Sequence, residues 1–218
     1  MARKGLFITF EGVEGSGKTT QLRRLARALK RQGFSVVSTR EPGGSRLGDA
    51  LRKVLLDPAS AGLPPLAELL LYAAARADHV QRRILPALAR GRIVLCDRFL
   101  DATFAYQGYG RGLPLPLIRS LHATAPLDLR PALTILLDID PAEGLSRARE
   151  RNRVVRSGEG RFEEESLAFH RRVAAGYRSL ARREPGRFAV VDASGSATVV
   201  AGRIAHALAD RLPARGRR

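Results

Sequence analysis

The chain has 218 residues, 44% of them hydrophobic, with 38 lysines and arginines against 21 acidic residues and a formal net charge of +17. This length and apolar content predict a single α/β domain over residues 1–218 with a sizeable core. No apolar run is long enough to cross a bilayer, and an apolar strand follows too closely on Met1 for a secretory signal. We therefore expect a cytoplasmic protein that has no membrane partner.

The excess of basic charge suggests polyanionic partners, of which nucleic acid is the first to consider. The sequence has no helix-turn-helix, zinc-finger or aromatic RNA-binding signature, and its arginines concentrate in three segments, 147–161, 171–183 and 215–218. We expect most of these arginines to lie on solvated helix faces and a minority to bind phosphates. The sequence therefore predicts no specific nucleic-acid binding.

The main motif is a glycine-rich stretch near the N-terminus. It matches the pattern G-x-x-x-x-G-K-[ST] and consists of Gly12, Val13, Glu14, Gly15, Ser16, Gly17, Lys18 and Thr19. An apolar strand precedes it and an amphipathic helix follows, which is the context that this motif requires. The pattern predicts nucleotide binding, and a strand–helix turn that binds nothing is the alternative.

The chemistry of the motif follows from its residue types. Its glycines allow backbone N–H groups to approach a polyphosphate closely, and the helix that begins near Lys18 points its positive end at the same anion. Lys18 adds a point charge for the outer phosphates, and the hydroxyl of Thr19 can ligate Mg²⁺. The motif alone does not specify which reaction follows.

Beyond the glycine loop, apolar runs and helical periodicity alternate along the chain. The runs predict further strands at residues 34–39, 93–96, 133–139 and 188–191. Helical spacing predicts seven helices. The first ends at Gly33, the second ends before Pro58, and the third covers residues 66–91 with a kink at Pro86. The others cover residues 114–123, begin at Asp140, and cover residues 169–180 and 200–208. The glycines in residues 108–112 predict a flexible break.

Strands that alternate with helices imply right-handed crossovers and a parallel sheet covered by helices on both faces. In such a sheet, a ligand binds beyond the carboxyl ends of the strands. Polar residues lie at those ends, namely Arg40, Asp97, Arg98 and Asp138. Asp97 and Asp138 are both candidates for binding a hydrated Mg²⁺ ion, because each ends an apolar strand.

Four segments together resemble the bacterial thymidylate kinases: residues 10–20, 39–44, 97–99 and 105–108. The resemblance runs from the first strand to the last helix. It implies a P-loop kinase fold with strand order 2-3-1-4-5 and an arginine-rich lid at about residues 147–163. It also implies a homodimer that transfers the γ-phosphoryl group of ATP to dTMP with Mg²⁺, giving dTDP for dTTP biosynthesis, and it favours Asp97 over Asp138 as the metal ligand.

The resemblance also implies which residues are catalytic. Lys18 binds phosphate, and Arg98 would face both nucleotides, because a guanidinium between two anions lowers the cost of their approach. A structural ion pair at the strand end is the alternative for Arg98. Gly15 stands where some relatives carry a catalytic arginine, so the lid is expected to supply that charge. The lid arginines are Arg147, Arg149, Arg151, Arg153, Arg156 and Arg161, of which Arg149 and Arg153 are our candidates.

The acceptor site follows from the same resemblance. Tyr72, one helical turn before Arg76, would stack on thymine while Arg76 binds the phosphate. Without the resemblance, a half-buried aromatic and a solvated arginine are the simpler interpretation. Glu14 would bond the 3′-hydroxyl of the sugar, and Tyr106 would fill the space beside its 2′ carbon. The other acceptor candidates are Arg40, Arg98, Thr103 and Gln107.

Two other functions are compatible with the sequence. A P-loop kinase for another nucleoside monophosphate would share the glycine loop, and only the resemblance argues for a thymine pocket. A non-enzymatic nucleotide-binding module that works on nucleic acid or at a membrane surface would account for the net charge of +17. A kinase assay with ATP and a panel of monophosphates separates these alternatives.

Overall fold

The computed structural model describes residues 5–155 and 160–212. These residues form a five-stranded parallel sheet with the order β2-β3-β1-β4-β5. The strands are β1 (Leu6–Glu11), β2 (Val36–Arg40), β3 (Ile93–Asp97), β4 (Leu133–Asp138) and β5 (Phe188–Asp192). The predicted α/β fold class and strand order 2-3-1-4-5 are therefore confirmed.

Helices connect the strands and cover the sheet. They are α1 (Lys18–Arg31), α2 (Arg46–Leu56), α3 (Pro65–His79), α4 (Leu85–Ala89), α5 (Leu100–Thr103), α6 (Leu115–Leu121), α7 (Pro141–Val155), α8 (Leu167–Arg183) and α9 (Ala197–Leu208). Two π-helical segments, Val80–Ile84 and Phe104–Gly110, continue α3 and α5, and a 3₁₀ turn spans Pro58–Ser60. In the described ranges, no helix has both the length and the apolar character needed to cross a membrane.

The core lies on both faces of the sheet. Ile8 and Phe10 of β1 and Ile135 of β4 are fully buried, because helices cover both sides of these central strands. Burial of each such side chain contributes about 1.5–3 kcal/mol to the stability of the fold. The register places Phe10 of β1 opposite Asp97 of β3, and Asp97 opposite Arg40 of β2. The carboxyl ends of the strands that carry the predicted site residues are therefore level with one another.

Proline interrupts the long third helix as predicted. The segment Val80–Ile84 is π-helical, and Pro86 is the second residue of α4. Proline lacks an N–H group and collides with the carbonyl one turn earlier, so a widened turn before it is the expected accommodation. The interruption at Pro86 is confirmed.

The predicted flexible break at residues 108–112 is wrong for its first part, because Gly108 and Gly110 belong to the π-helical segment. A Cβ on Gly108 would lie 2.5 Å from the side chain of Leu115, and one on Gly110 would lie 2.7 Å from the ring of Phe169. These glycines thus allow neighbouring helices to pack directly against the backbone. Close packing, and not chain flexibility, explains their presence.

Candidate active site

The phosphate loop connects the end of β1 to the start of α1. Gly12, Gly15 and Gly17 have φ angles of 140°, 68° and 90°, which favour glycine. A Cβ on Gly12 would overlap the carbonyl oxygen of Leu137, and one on Gly15 would overlap that of Gly144. Side chains at these two positions would displace the backbone of β4 or α7. The glycines are therefore required for the shape of the loop.

Lys18 is the first residue of α1, and its side chain is buried beneath the loop. Its Nζ donates to the carbonyl oxygens of Gly12 at 3.1 Å and Val13 at 2.8 Å. Burial and the nearby Arg98 lower the pKa of Lys18 to about 8, against the opposing effect of acidic neighbours. The ammonium group thus lies in a site that additional negative charge, such as that of a phosphate, would stabilise.

Oxygen atoms suited to Mg²⁺ lie where β3 ends beside the loop. The hydroxyl of Thr19 donates a short hydrogen bond to Oδ2 of Asp97. Mg²⁺ prefers oxygen ligands and takes only one or two carboxylates from the protein when substrate phosphates and waters complete its shell. The donor set of Thr19 and Asp97 therefore fits the ion. No group of three or more His, Cys, Asp or Glu residues in the described ranges offers another metal site.

Asp138, the competing candidate for the metal, has a different environment. Both of its carboxylate oxygens accept from Nε of Arg178, at 3.1 and 3.0 Å. It does not belong to the described lining of the main cleft, whereas Asp97 does. The geometry therefore favours Asp97, as the resemblance implies.

Arg98 projects its guanidinium between the phosphate loop and the neighbouring cleft. Its φ of 64° is unusual for a residue other than glycine and directs the side chain away from the path of the strand. Nη1 donates to the carbonyl oxygen of Gly12 at 3.0 Å, and Nη2 donates to Oε1 of Glu14 at 2.9 Å. Arg98 does form an ion pair, but its partner is a loop residue and not the adjacent Asp97.

Glu14 lies in a cluster of side chains from distant segments, which we call the Glu14 cluster: Glu14, Arg98, Tyr106 and His170. Oε1 of Glu14 accepts from Arg98 and, at 2.6 Å, from the hydroxyl of Tyr106. Oε2 lies 3.2 Å from Nδ1 of His170. Burial acts to raise the pKa of Glu14, but Arg98 and His170 hold it well below its usual value. The carboxylate is therefore charged and fixed in place.

Glu11 and Tyr177, which the sequence analysis did not single out as site residues, support Arg98 from the sheet side. Oε2 of Glu11 accepts from the Tyr177 hydroxyl at 2.7 Å, and Oε1 accepts from the backbone N–H of Phe99 at 2.7 Å. The Tyr177 hydroxyl in turn accepts from Nη1 of Arg98 at 3.2 Å. Burial, with the charge of Asp101 in addition, raises the pKa of Glu11 to about 8.

A cleft of about 1110 Å³ opens beyond the carboxyl ends of the strands. Residues of the phosphate loop and the metal candidates Thr19 and Asp97 line one part of it. All the predicted acceptor residues also line it, namely Glu14, Arg40, Tyr72, Arg76, Arg98, Thr103, Tyr106 and Gln107. The fold thus brings residues from separate segments of the sequence around one space.

Arg76 is buried at the cleft and is not a solvated helix residue. Nε donates to Glu41 at 2.7 Å, Nη1 donates to Thr103 at 2.9 Å and contacts Nε2 of His122 at 2.8 Å, and Nη2 donates to the Phe99 carbonyl at 3.1 Å. Burial and Arg76 itself lower the pKa of His122 to about 4, so its neutral ring accepts this hydrogen bond. Four of the five N–H donors of this guanidinium are thus used by protein atoms.

Gln107 lies between the cleft and Glu68, a fully buried residue of α3. Nε2 of Gln107 donates to Oε1 of Glu68 at 2.8 Å. Oε2 of Glu68 accepts from Nη2 of Arg161 at 2.6 Å and from Nη2 of Arg111 at 3.3 Å. No sequence pattern indicated Glu68, because a single acid in an apolar helix is usually solvated.

The lid arginines differ in position. Arg151 lines the cleft, and its Nη2 donates to Oε1 of Glu163 at 3.0 Å. Arg149 donates to the backbone carbonyl of Glu163 at 3.3 Å, and Arg153 pairs with Glu150 with its side chain 77% exposed. Neither of these two candidates belongs to the described lining of the cleft.

The remaining lid arginines have structural partners or lie outside the described residues. Arg147 pairs with Glu143 and donates to the carbonyl oxygen of Ala193 at 3.2 Å. Arg161 is buried against Glu68. Arg156 lies outside the described residues. The choice of Arg149 and Arg153 as catalytic residues stays a prediction, and Arg151 joins them as a candidate.

Comparison with known proteins assigns the family. A family model described as thymidylate kinase matches residues 10–204 of the chain. The chain belongs to the thymidylate kinase family. It is 56% identical over 198 residues to a thymidylate kinase of Solidesulfovibrio magneticus, covering 90% of this chain and 95% of that one. It is 52% identical over 212 residues to a thymidylate kinase of Geobacter sulfurreducens, covering 97% and 100%.

A solved structure agrees with this assignment. The crystal structure of a thymidylate kinase from Ehrlichia chaffeensis matches with a TM-score of 0.76 and 34% sequence identity, covering 94% of this chain and 99% of that one. The resemblance to the thymidylate kinase family that the four sequence segments indicated is thus confirmed over most of the chain.

Proposed function

We propose that this member of the thymidylate kinase family transfers the γ-phosphoryl group of ATP to dTMP, giving dTDP in the biosynthesis of dTTP. The observation that carries the proposal is the position of Arg98 in a chain of this family. Its guanidinium contacts the phosphate loop and lines the same cleft as the predicted acceptor residues. A kinase must bring two anions together, and a buried guanidinium at their meeting point offsets the repulsion between them.

The donor phosphates would bind to the N–H groups of the loop that contains Gly12, Val13, Glu14, Gly15, Ser16, Gly17, Lys18 and Thr19. Lys18 would exchange its two carbonyl partners for phosphate oxygens, and the added negative charge would raise its lowered pKa. Thr19 and Asp97 would hold Mg²⁺, which neutralises phosphate charge when it is bound. These residues thus align the γ-phosphate with the cleft.

The lid would complete the charge around the transferred group. Position 15 of the loop is a glycine and supplies no positive charge. An arginine from the lid is therefore required on the other side of the transferred phosphoryl group. We propose Arg149, Arg151 or Arg153, with Arg151 already beside the cleft. Its ion pair with Glu163 is more than half exposed on the arginine side, so exchanging this partner for a phosphate costs little.

The acceptor would occupy the part of the cleft between α3 and the π-helical segment Phe104–Gly110. Tyr72 would stack on the base, Thr103 and Gln107 would contact its edge, and Arg40 and Arg98 would face the phosphate. Because protein atoms use four of its N–H groups, Arg76 would offer the nucleotide a single hydrogen bond and not a bidentate phosphate clamp.

The sugar would lie against the Glu14 cluster. The Glu14 carboxylate can accept a hydrogen bond from a 3′-hydroxyl, since two of its neighbours already fix its orientation. The Tyr106 hydroxyl donates its proton to Glu14, so a 2′-hydroxyl near this ring would find no free donor there. A preference for a deoxyribose acceptor follows.

The experiment that tests the function is a coupled assay with MgATP and a panel of nucleoside monophosphates. We expect kcat/KM to be highest for dTMP. A different monophosphate as the best acceptor would indicate a P-loop kinase of another specificity. ATP binding without turnover of any acceptor would indicate the non-enzymatic module.

We further propose that the protein works in the cytoplasm as a homodimer, without a membrane partner or specific binding to nucleic acid. Leu66 and Leu70 lie one turn apart on α3 and are about half exposed, at 49% and 51%. A second subunit would remove this apolar surface from water. Light scattering after size exclusion should give twice the 23.7 kDa mass of the chain, and a monomer at micromolar concentration would contradict this.

A further inference from the structure

We propose that Glu68 selects the base of the acceptor nucleotide by fixing the orientation of the Gln107 side-chain amide. The inference rests on the proposed function, because it concerns the nucleotide that receives the phosphoryl group. Glu68 is fully buried and would not itself touch the substrate. It is therefore a positioning residue that acts through Gln107.

The orientation of Gln107 follows from the chemistry of its partner. An ionised carboxylate accepts hydrogen bonds but cannot donate them, so the atom 2.8 Å from Oε1 of Glu68 is Nε2 of Gln107. Oε1 of Gln107 is the other atom of the amide. Among the hydrogen bonds within residues 5–155 and 160–212, none uses this oxygen. Gln107 therefore presents an acceptor to the cleft that it lines.

Two guanidinium groups donate hydrogen bonds to the carboxylate of Glu68. Arg161 donates to Oε2 at 2.6 Å, and Arg111 donates to both carboxylate oxygens at 3.3 Å. Arg161 is itself held by the carbonyl oxygen of Leu55 at 3.0 Å. Since arginine side chains can only donate, these contacts oblige Glu68 to remain an acceptor. If the amide of Gln107 were reversed, its oxygen would face Oε1 of Glu68, and two acceptors cannot form a hydrogen bond.

An acceptor in the pocket complements one type of pyrimidine. The only hydrogen-bond donor on the ring of a thymine or uracil nucleotide is the N3–H group, so Oε1 of Gln107 can pair with the base only there. Cytosine has an unprotonated N3, which would place two acceptors against each other. A buried mismatch of this kind disfavours binding by about tenfold to a hundredfold. The Glu68–Gln107 pair would thus admit dTMP and dUMP and reject dCMP.

The test is the substitution Glu68→Gln. The new amide keeps its oxygen towards Arg161, which only donates, and turns its NH₂ group towards Gln107, so that only the long 3.3 Å contact from Nε of Arg111 is lost. Gln107 must then rotate its oxygen towards position 68 and its own NH₂ into the cleft, where it suits the N3 atom of cytosine. We expect the ratio of kcat/KM for dTMP to that for dCMP to fall by about tenfold or more. The ratio for dTMP to dUMP should not change, because both bases carry N3–H.

The matched control is Glu165→Gln, which removes a carboxylate that Arg111 contacts without touching Gln107. It should leave both ratios at the wild-type value. An unchanged dTMP-to-dCMP ratio in folded Glu68→Gln overturns the inference. So does an equal loss of activity on all three acceptors, since that result means a purely structural role. Absence of dTMP phosphorylation by the wild type would instead overturn the proposed function.

A second measurement on the wild-type protein covers the case in which Glu68→Gln does not fold. Neutron diffraction from a crystal exchanged into D₂O locates the two deuterons on the side-chain nitrogen of Gln107. We expect one of them to point at Glu68 and neither to point at the base-binding part of the cleft. An amide nitrogen that faces the cleft would overturn the inference independently of any activity.

Discussion

At the level of single residues, the site is characterised by buried charges whose partners are in place before a nucleotide binds. Arg98 contacts the loop carbonyl of Gly12, the carboxylate of Glu14 and the hydroxyl of Tyr177. Fixed dipoles and charges of this kind stabilise a transition state without reorganising during the reaction. The contacts of Arg98 therefore hold its charge in position before the reaction begins.

Arg98→Ala should lower kcat for dTMP phosphorylation by about a hundredfold or more, because it removes a cation from between two phosphates. Tyr177→Phe removes only the hydroxyl next to Arg98 and should cost about tenfold or less. Arg178→Ala is the matched control, since this arginine pairs with Asp138 outside the cleft and its loss should leave kcat unchanged. Steady-state kinetics on the folded variants measure kcat. A wild-type kcat for Arg98→Ala would exclude Arg98 from the reaction.

The lowered pKa of Lys18 predicts how ATP affinity depends on pH. The pKa of Lys18 is lowered to about 8, so below this pH the ammonium group is charged in the free protein. Above this pH, Lys18 must take up a proton when ATP binds. Each pH unit above that value should therefore raise Kd for ATP by up to about tenfold. Calorimetric titration between pH 7 and 9.5 measures this effect. Lys18→Arg, whose guanidinium stays charged throughout, should give a flat profile, and a flat profile in the wild type would contradict the prediction.

At the level of elements, local signals allowed the strands and the phosphate loop to be predicted from sequence. Apolar runs and the glycine spacing are contained within a few residues, so they identify β1, the loop and α1 directly. The supporting contacts join distant residues: Tyr177 lies 166 positions from Glu11, and Arg161 lies 93 positions from Glu68. No local pattern marks such pairs of distant residues. Glu11 and Glu68 were therefore missed, whereas Gly12 and Tyr72, which lie near them in the sequence, were predicted as site residues.

The glycines of the π-helical segment Phe104–Gly110 offer a test of packing at this scale. Gly110→Ala would place a methyl group 2.7 Å from the ring of Phe169 on α8, and such overpacking costs about 1–3 kcal/mol of stability. Gly202→Ala in α9 meets nothing within 4 Å and should instead stabilise the fold by up to about 1 kcal/mol. Urea unfolding compares the two variants; equal stability would mean that the segment is loosely packed.

At the level of the whole molecule, the net charge of +17 coexists with many arginines that are engaged inside the fold. Arg76, Arg161 and Arg187 are paired with Glu41, Glu68 and Asp101, and all three acids are buried. The sequence analysis assigned most of the excess to solvated helix faces. Most of the described arginines are indeed exposed, and a smaller part of the basic charge organises the site and the core, where composition alone could not place it.

This distribution predicts weak and non-specific binding to nucleic acid. Only exposed basic side chains can release counterions from DNA, so affinity for duplex DNA should fall steeply as salt rises. Fluorescence anisotropy with a labelled duplex should show binding at about 50 mM salt that is largely lost by about 200 mM. A tight complex at the higher concentration would support the alternative in which the chain works on nucleic acid.

The central claim is that this cleft transfers a phosphoryl group from ATP to dTMP. Phosphorus NMR of a mixture of the protein, MgATP and dTMP follows every phosphate group at once. We predict that ADP and dTDP form in equal amounts and that no inorganic phosphate is released. Formation of ADP with inorganic phosphate and without dTDP, or no consumption of ATP, would contradict the claim.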